Sequence, residues 1–260
     1  MSGPPRTGNP LWIAYEYLAM LLGLGALAAL CLIWLPVALL LQPLLPRRLG
    51  QLFGRRAIMH GFRLYLGFLR LFCACRFDLA ELDRLRHAGP LIVAANHPSL
   101  LDVVLIVSCL PNAVCVIKAA LLDRLLFGAA ARLAGYIRND APLELILQAR
   151  ADLHSGAQLV IFPEGTRTGS FPLDPFSAGC GLLAWRAAIP VQTLLIEFSR
   201  PYLGKAWPLF RRPRLPLHCC IRLGRLFPPP ADHAAFTGEL EAYFRAELGK
   251  NAQPTAAGVA

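Results

Sequence analysis

The pattern of apolar and polar positions divides the chain into two regimes. From Tyr17 through Pro46 no side chain is charged, and at about 1.5 Å of rise per helical residue some 20 of these residues suffice to cross a hydrocarbon core. This predicts a membrane segment. The run outlasts a signal-peptide h-region, its short n-region carries only Arg6, and no small-residue cleavage site follows, so it reads as a retained anchor. Pro36 and Pro43 interrupt a straight helix and leave open a bend or a hairpin dipping into one leaflet. From Leu49 to Arg76, Phe53, Phe62, Leu66 and Leu69 alternate with Arg56, His60, Arg63 and Arg70. That spacing suits a basic amphipathic helix at an anionic surface, or a helix covering the domain core.

Beyond this stretch, short runs rich in Val, Ile and Leu alternate with longer helical segments, the signature of an α/β domain. Strands are predicted at Leu91 to Ala95, Val114 to Ile117, Leu159 to Phe162, Val191 to Phe198 and Cys219 to Leu226. Helices are predicted at Ser99 to Leu110, Leu122 to Ala134, Leu143 to Ser155 and Gly179 to Ala188, each closing at a Gly, Pro or polar break. After three consecutive prolines, Phe236, Leu240, Phe244 and Leu248 recur at helical spacing. The expected organisation is therefore an anchor over 1–48, a basic helical segment over 49–76, an α/β domain over 77–248 and a loose tail over 249–260.

Composition sharpens this reading. Apolar residues make up 56% of the 260 positions and charged ones 16%, greasier than an ordinary soluble domain. Arg47, Arg48, Arg55 and Arg56 directly follow the apolar run, and such an excess favours the cytoplasmic side of an inner membrane for what comes after it. The net charge of +10 calls for an acidic partner: anionic lipid, nucleic acid or an acidic carrier protein. The anchor points to membrane lipid, and no nucleic-acid-binding signature is present. The eight cysteines fit neither metal spacing nor a disulfide scaffold, so they read as free thiols in a reducing compartment, with no metal site.

Candidate chemistry concentrates at two strand ends, where α/β folds place their sites. In Asn96-His97-Pro98-Ser99-Leu100-Leu101-Asp102, Pro98 suits a first helical turn and biases His97 toward extended backbone. His97 then stands at the helix mouth, within reach of Asp102 in the early turns. A carboxylate on one ring nitrogen leaves the other free to take a proton from a hydroxyl. In Phe162-Pro163-Glu164-Gly165-Thr166-Arg167, Gly165 permits close backbone approach and Arg167 offers a planar cationic fork for phosphate. Glu164 is suited to an acceptor hydroxyl or to holding Arg167. Either string alone is also compatible with a helix cap or a surface turn.

Together, in this order, the two strings resemble the hallmark blocks of the glycerolipid acyltransferase family, which includes the 1-acylglycerol-3-phosphate acyltransferases. Gly135-Tyr136-Ile137-Arg138 and Ile189-Pro190-Val191 resemble two weaker blocks, so the likeness covers roughly residues 75 to 200. The resemblance implies a central mixed sheet flanked by helices. It also implies acyl transfer from acyl-CoA or acyl-carrier protein to the hydroxyl of a lysophospholipid, foremost 1-acylglycerol-3-phosphate, without cofactor or metal. His97 would be the base and Asp102 its orienting partner. Arg138, Glu164, Gly165, Thr166 and Arg167 would bind the acceptor, with Lys118 adding charge or serving only the surface. One departure stands out: the cationic step often found after the second block reads Phe176-Ser177-Ala178-Gly179 here. That keeps a non-phosphorylated acceptor, such as a lyso-ornithine lipid, in view. A catalytically silent lipid-binding protein is the reading from another class, but capture alone has no use for a matched base and acid. The basic patch Arg200, Lys205, Arg211, Arg212 and Arg214 is expected to meet anionic headgroups or a carrier protein, or to be a solvated face.

Overall fold

The computed structural model describes residues 9–208 and 211–250; Arg6 and most of the expected tail lie outside them. The chain opens with helix α1 (Pro10–Leu44), capped by Asn9, whose side chain accepts the Leu11 amide at 2.9 Å. Pro36 and Pro43 sit inside α1 without breaking it. The reversal comes after them, at Leu45–Pro46, and α2 (Arg47–Phe72) folds back along α1. Small residues let the two helices approach: a Cβ on Gly23 would stand 3.2 Å from Leu69, and one on Gly61 3.5 Å from Leu30.

The α/β core is a seven-stranded mixed sheet. Its strands are β1 (Cys75–Asp78), β2 (Leu91–Ala95), β3 (Ala113–Ile117), β4 (Ile137–Arg138), β5 (Gln158–Ile161), β6 (Val191–Phe198) and β7 (Leu217–Phe227). They lie in the order β1-β7-β6-β2-β5-β3-β4, and every neighbour pair is parallel except β6 with β7. β2 and β5 are buried along their whole length, as central parallel strands covered on both faces must be. Because side chains alternate across a strand, Val93, Ala95 and Val160 face one way while Ile92, Ala94 and Leu159 face the other. The first set packs on α2 and α3 (Leu101–Val107). The second packs on α6 (Pro142–His154), α7 (Gly179–Ala187) and α8 (His233–Lys250).

Two short elements were hidden in the sequence pattern. β1 begins inside the stretch expected to be amphipathic helix and runs past its end; α2 stops at Phe72, and Ala74 turns the chain with φ +46°. The expected boundary at residue 77 therefore falls inside a strand. The helix predicted over Leu122 to Ala134 is α5 (Leu125–Leu133), and a separate single turn, α4 (Ala119–Leu122), precedes it.

Both ends of α1 rest on the rest of the molecule. Near its start, the Tyr15 hydroxyl donates to the Phe72 carbonyl at 3.0 Å. Glu16 accepts the Leu215 amide at 2.9 Å and pairs with Arg212 at 3.2 Å. Near its end, Ala38 packs on Ala129 and Leu133 of α5. Between these anchorages its outer face exposes Leu18, Leu21, Leu32, Ile33 and Leu40, and α2 continues the apolar surface with Phe53, Leu64 and Leu71. Arg55, one of the four arginines that follow the apolar run, is buried and binds the α/β domain.

Candidate active site

β2 ends at Ala95, and the next residue extends its pairing with a side chain. Asn96 donates through Nδ2 to the Ile196 carbonyl (2.9 Å) and accepts the Ile196 amide on Oδ1 (2.8 Å), tying the strand end to β6. The chain then turns through Pro98 and Ser99 into α3, which carries Asp102 in its first turn. Oδ2 of Asp102 accepts the Ser99 amide at 2.8 Å and lies 2.9 Å from His97 Nδ1. With that carboxylate fully buried, Nδ1 carries the hydrogen. Nε2 is left on the far edge of the ring, where the side chain keeps 14% exposure toward a cavity. The ring stacks on Phe162 with centroids 3.9 Å apart.

Burial pushes the Asp102 carboxyl up to about 6, opposed by the hydrogen bond and charge of His97 and by the Ser99 amide. Its second oxygen, Oδ1, is buried without a partner among the described residues. Asp102 is thus costly to ionise and is kept for its effect on the imidazole.

The second motif grips the first. Glu164 accepts the His97 amide (2.9 Å) and the Thr168 hydroxyl (2.8 Å) on Oε1, and the Asp174 amide (2.8 Å) on Oε2. The Thr168 amide in turn donates to the His97 carbonyl at 2.8 Å. Both backbone groups of His97 are therefore held by residues 164–168. Glu164 is only 7% exposed, and the hydrogen bonds of its carboxylate run to His97, Thr168 and Asp174 rather than to Arg167. Gly165 takes φ +69°, a conformation that favours glycine. The Thr166 and Arg167 amides that follow have no acceptor among the described residues.

The cavity beside His97 measures about 620 Å³, and Lys118, Gly165, Thr166 and Arg167 are among its lining residues. Arg167 also spends Nη1 on the carbonyls of Leu203 (2.9 Å) and Gly204 (2.6 Å), pinning that loop to the motif ridge. Arg138 is not brought to the cavity. It is held between Asp123 (2.9 Å) and Asp140 (2.9 Å), while its neighbour Asn139 lines the wall. Arg124 is a cation of the cavity that no motif announced; it stands between α4 and α5, within a stretch whose sequence reads as one helix. Cys180 also lines the cavity, but burial pushes its thiol up to about 12, as it does for Cys115, so neither supplies a thiolate near neutral pH.

A family model described as "Acyltransferase" matches residues 76–197, which contain every group of this site except the 203–204 loop. Among curated proteins, the human 1-acyl-sn-glycerol-3-phosphate acyltransferase beta is 30% identical over 144 residues, 52% of each chain. The enzyme of that name from Pseudomonas aeruginosa is 26% identical over 218 residues, 82% of this chain and 79% of the other. The chain spans about half the length of the first relatives it matches, 52% of the human protein and 57% of that from Helicobacter pylori. The crystal structure of the 1-acyl-sn-glycerophosphate (LPA) acyltransferase from Thermotoga maritima superposes with a TM-score of 0.68 at 17% identity. It covers 92% of this chain and 97% of the other, and so shares the fold.

Proposed function

The chain belongs to the glycerolipid acyltransferase family, and on that footing we propose that it moves a fatty acyl group from a thioester donor to a lipid hydroxyl, with His97 as base. The observation that carries this reading is the His97 Nδ1 to Asp102 contact of 2.9 Å, with the opposite ring edge on the cavity. Nε2 takes the hydroxyl proton as the acceptor oxygen bonds to the thioester carbonyl carbon. The unpaired Thr166 and Arg167 amides are suited to the oxyanion. Collapse of the adduct breaks the C–S bond, and Nε2 returns the proton to the leaving thiolate. The products are an ester and a free thiol, and His97 is regenerated. No covalent enzyme intermediate is required.

The foremost acceptor is 1-acylglycerol-3-phosphate, because Lys118, Arg124 and Arg167 line the cavity and the relatives named above carry that substrate in their names. A non-phosphorylated hydroxylated lipid is favoured by two other observations: Arg138 is already neutralised by two carboxylates, and Ser177 lines the wall at the step that is often cationic in the family. Purified protein in detergent, offered labelled acyl-CoA or acyl-carrier protein with lysophosphatidate or lyso-ornithine lipid, separates them. Transfer to lysophosphatidate alone is expected; transfer to neither acceptor with either donor sinks the proposal. Followed against pH, turnover should fall in acid with an apparent midpoint near 6, the value to which burial raises Asp102. The sign follows from the pair: one added proton makes either an imidazolium or an Asp102 hydroxyl donating to Nδ1, and in both Nε2 carries hydrogen and cannot act as base. A profile flat from pH 5 to 8 would contradict this.

We also propose that α1 lies in one leaflet of the inner membrane, with the α/β domain in the cytoplasm. Its hydropathy of 2.5 is high enough to enter lipid, yet its first turns bind Leu215 and Arg212 while its last turns bind α5. A helix with both ends on one domain leaves neither end to cross. Asn9→Cys, with Cys31 and Cys220 replaced by Ala, should react with an impermeant maleimide in inside-out vesicles and stay unlabelled in intact spheroplasts. Labelling from the outer face would mean that α1 spans.

A further inference from the structure

A second cavity, about 960 Å³, borders the motif ridge without touching the His97 ring. It shares Asn96, Pro98 and Thr168 as a wall and extends over the ends of β6, β7 and β1. Four cations line it: Arg76, Arg200, Lys205 and Arg211. Its two acids are occupied, Glu197 with Arg222 at 3.2 Å and Asp78 as a cap on the Ala80 amide. Arg76 and Arg200 have no carboxylate partner among the described residues. Arg211 lies over the Trp207 ring at 4.4 Å, which holds its guanidinium at the rim. The basic patch read from the sequence is therefore divided: Arg200, Lys205 and Arg211 face this cavity, whereas Arg212 is spent on Glu16 of α1.

The two cavities differ at their margins. The one beside His97 has Leu100 (53% exposed) and Leu121 (46%) at its margin, an opening suited to a substrate arriving from lipid. The second is charged at its rim and suited to a soluble polyanion. Between them runs the Leu203–Gly204 turn, fastened by Arg167 and by the Leu100 amide, which donates to the Leu203 carbonyl at 3.1 Å. Gly204 packs closely on Pro98 there: a Cβ on it would already stand 3.4 Å from the Pro98 carbonyl oxygen.

We infer that the basic cavity binds the phosphate-bearing arm of the thioester donor, and that the arm crosses the Pro98–Gly204 lip to present its thioester to His97. This rests on the acyl-transfer reading. The phosphate comes either from CoA or from the phosphopantetheine of a carrier protein, and the two share one chemistry. An anionic lipid headgroup is disfavoured because the lipid-suited opening belongs to the other cavity.

The full chain in detergent, wild type and R76S/R200S/R211S together and R200S alone, tests it by two readouts. Titration with CoA and with phosphopantetheine-loaded carrier protein reads binding without turnover; with charge-assisted contacts to phosphate lost, the triple variant should bind at least one of them on the order of tenfold more weakly. In turnover, KM for that donor should rise similarly, while KM for the acceptor and turnover with the phosphate-free thioester S-acyl-N-acetylcysteamine stay unchanged. R200S should show a smaller loss in the same direction, which keeps the test alive if the triple variant misfolds. Wild-type binding of CoA or carrier without acyl transfer to any acceptor would sink the proposed function but keep this site. Unchanged affinity for both donors, an equal loss with the phosphate-free thioester, or a loss confined to anionic vesicles would overturn the inference.

Discussion

Replacing His97 by Ala is expected to lower kcat by roughly 100- to 10,000-fold, the range associated with a positioned general base. The fold should tolerate the change, because it is the backbone of His97, not its ring, that binds Glu164 and Thr168. Loss of the ring removes the stacking on Phe162 and one partner of Asp102, whose Oδ2 still accepts the Ser99 amide. Without the imidazole the buried carboxyl protonates more readily, which relieves the cost of an unpaired charge. Asp102→Asn is the sharper probe. An amide NH2 turned to Nδ1 would force the hydrogen onto Nε2, the wrong tautomer for a base, and would oppose the Ser99 N–H; the amide oxygen turned there keeps the tautomer but withdraws the negative charge that stabilises the imidazolium. Turnover on the order of 1,000-fold below wild type, with melting temperature and acceptor binding nearly unchanged, is expected. Undiminished transfer in His97→Ala would remove the imidazole from the chemistry altogether.

What was legible in the sequence follows from how local each signal is. β2 and β6 match their predicted limits because a run of branched apolar residues bounded by breaks is specified by its own residues. His97 and Asp102 were legible for the same reason: five positions and one turn bring them together. The work of Glu164 was not, since His97 approaches it only when the ends of β2 and β5 stand side by side, and Asp174 only through the fold of the loop after β5. Nor was the neutralisation of Arg138, because Asp123 comes from the segment between α4 and α5. β4 is two residues long, too short for any periodicity to show.

Arg55 is the plainest case of a side chain whose role is set far away in the chain, and it carries the second large prediction. Four arginines following an apolar run look alike in sequence, yet only Arg55 of these is buried. Its Nη2 meets Asp152 of α6 at 2.8 Å, Nη1 meets Asn112 at 2.9 Å, and Nε donates to the Ala134 carbonyl at 3.0 Å. One guanidinium thus joins α2 to three separate segments of the α/β domain, beside Gly54, which has no room for a Cβ against Ala134. Arg55→Ala strands Asp152, whose Oδ2 already lacks a partner, and removing one member of a buried ion pair costs about 3 to 5 kcal/mol. At about 2 to 4 °C per kcal/mol for a chain of this size, the melting temperature in detergent should fall by roughly 10 °C. Since α2 carries α1, the hairpin should also become more open to protease before the domain unfolds. The pair is not irreplaceable: Arg55→Leu combined with Asp152→Leu removes both charges and should recover part of the loss. It should not recover all of it, because the Ala134 carbonyl and Asn112 still lose their donor. A melting temperature within about 2 °C of wild type for Arg55→Ala would mean that water reaches Asp152 and that the hairpin is held by apolar packing alone.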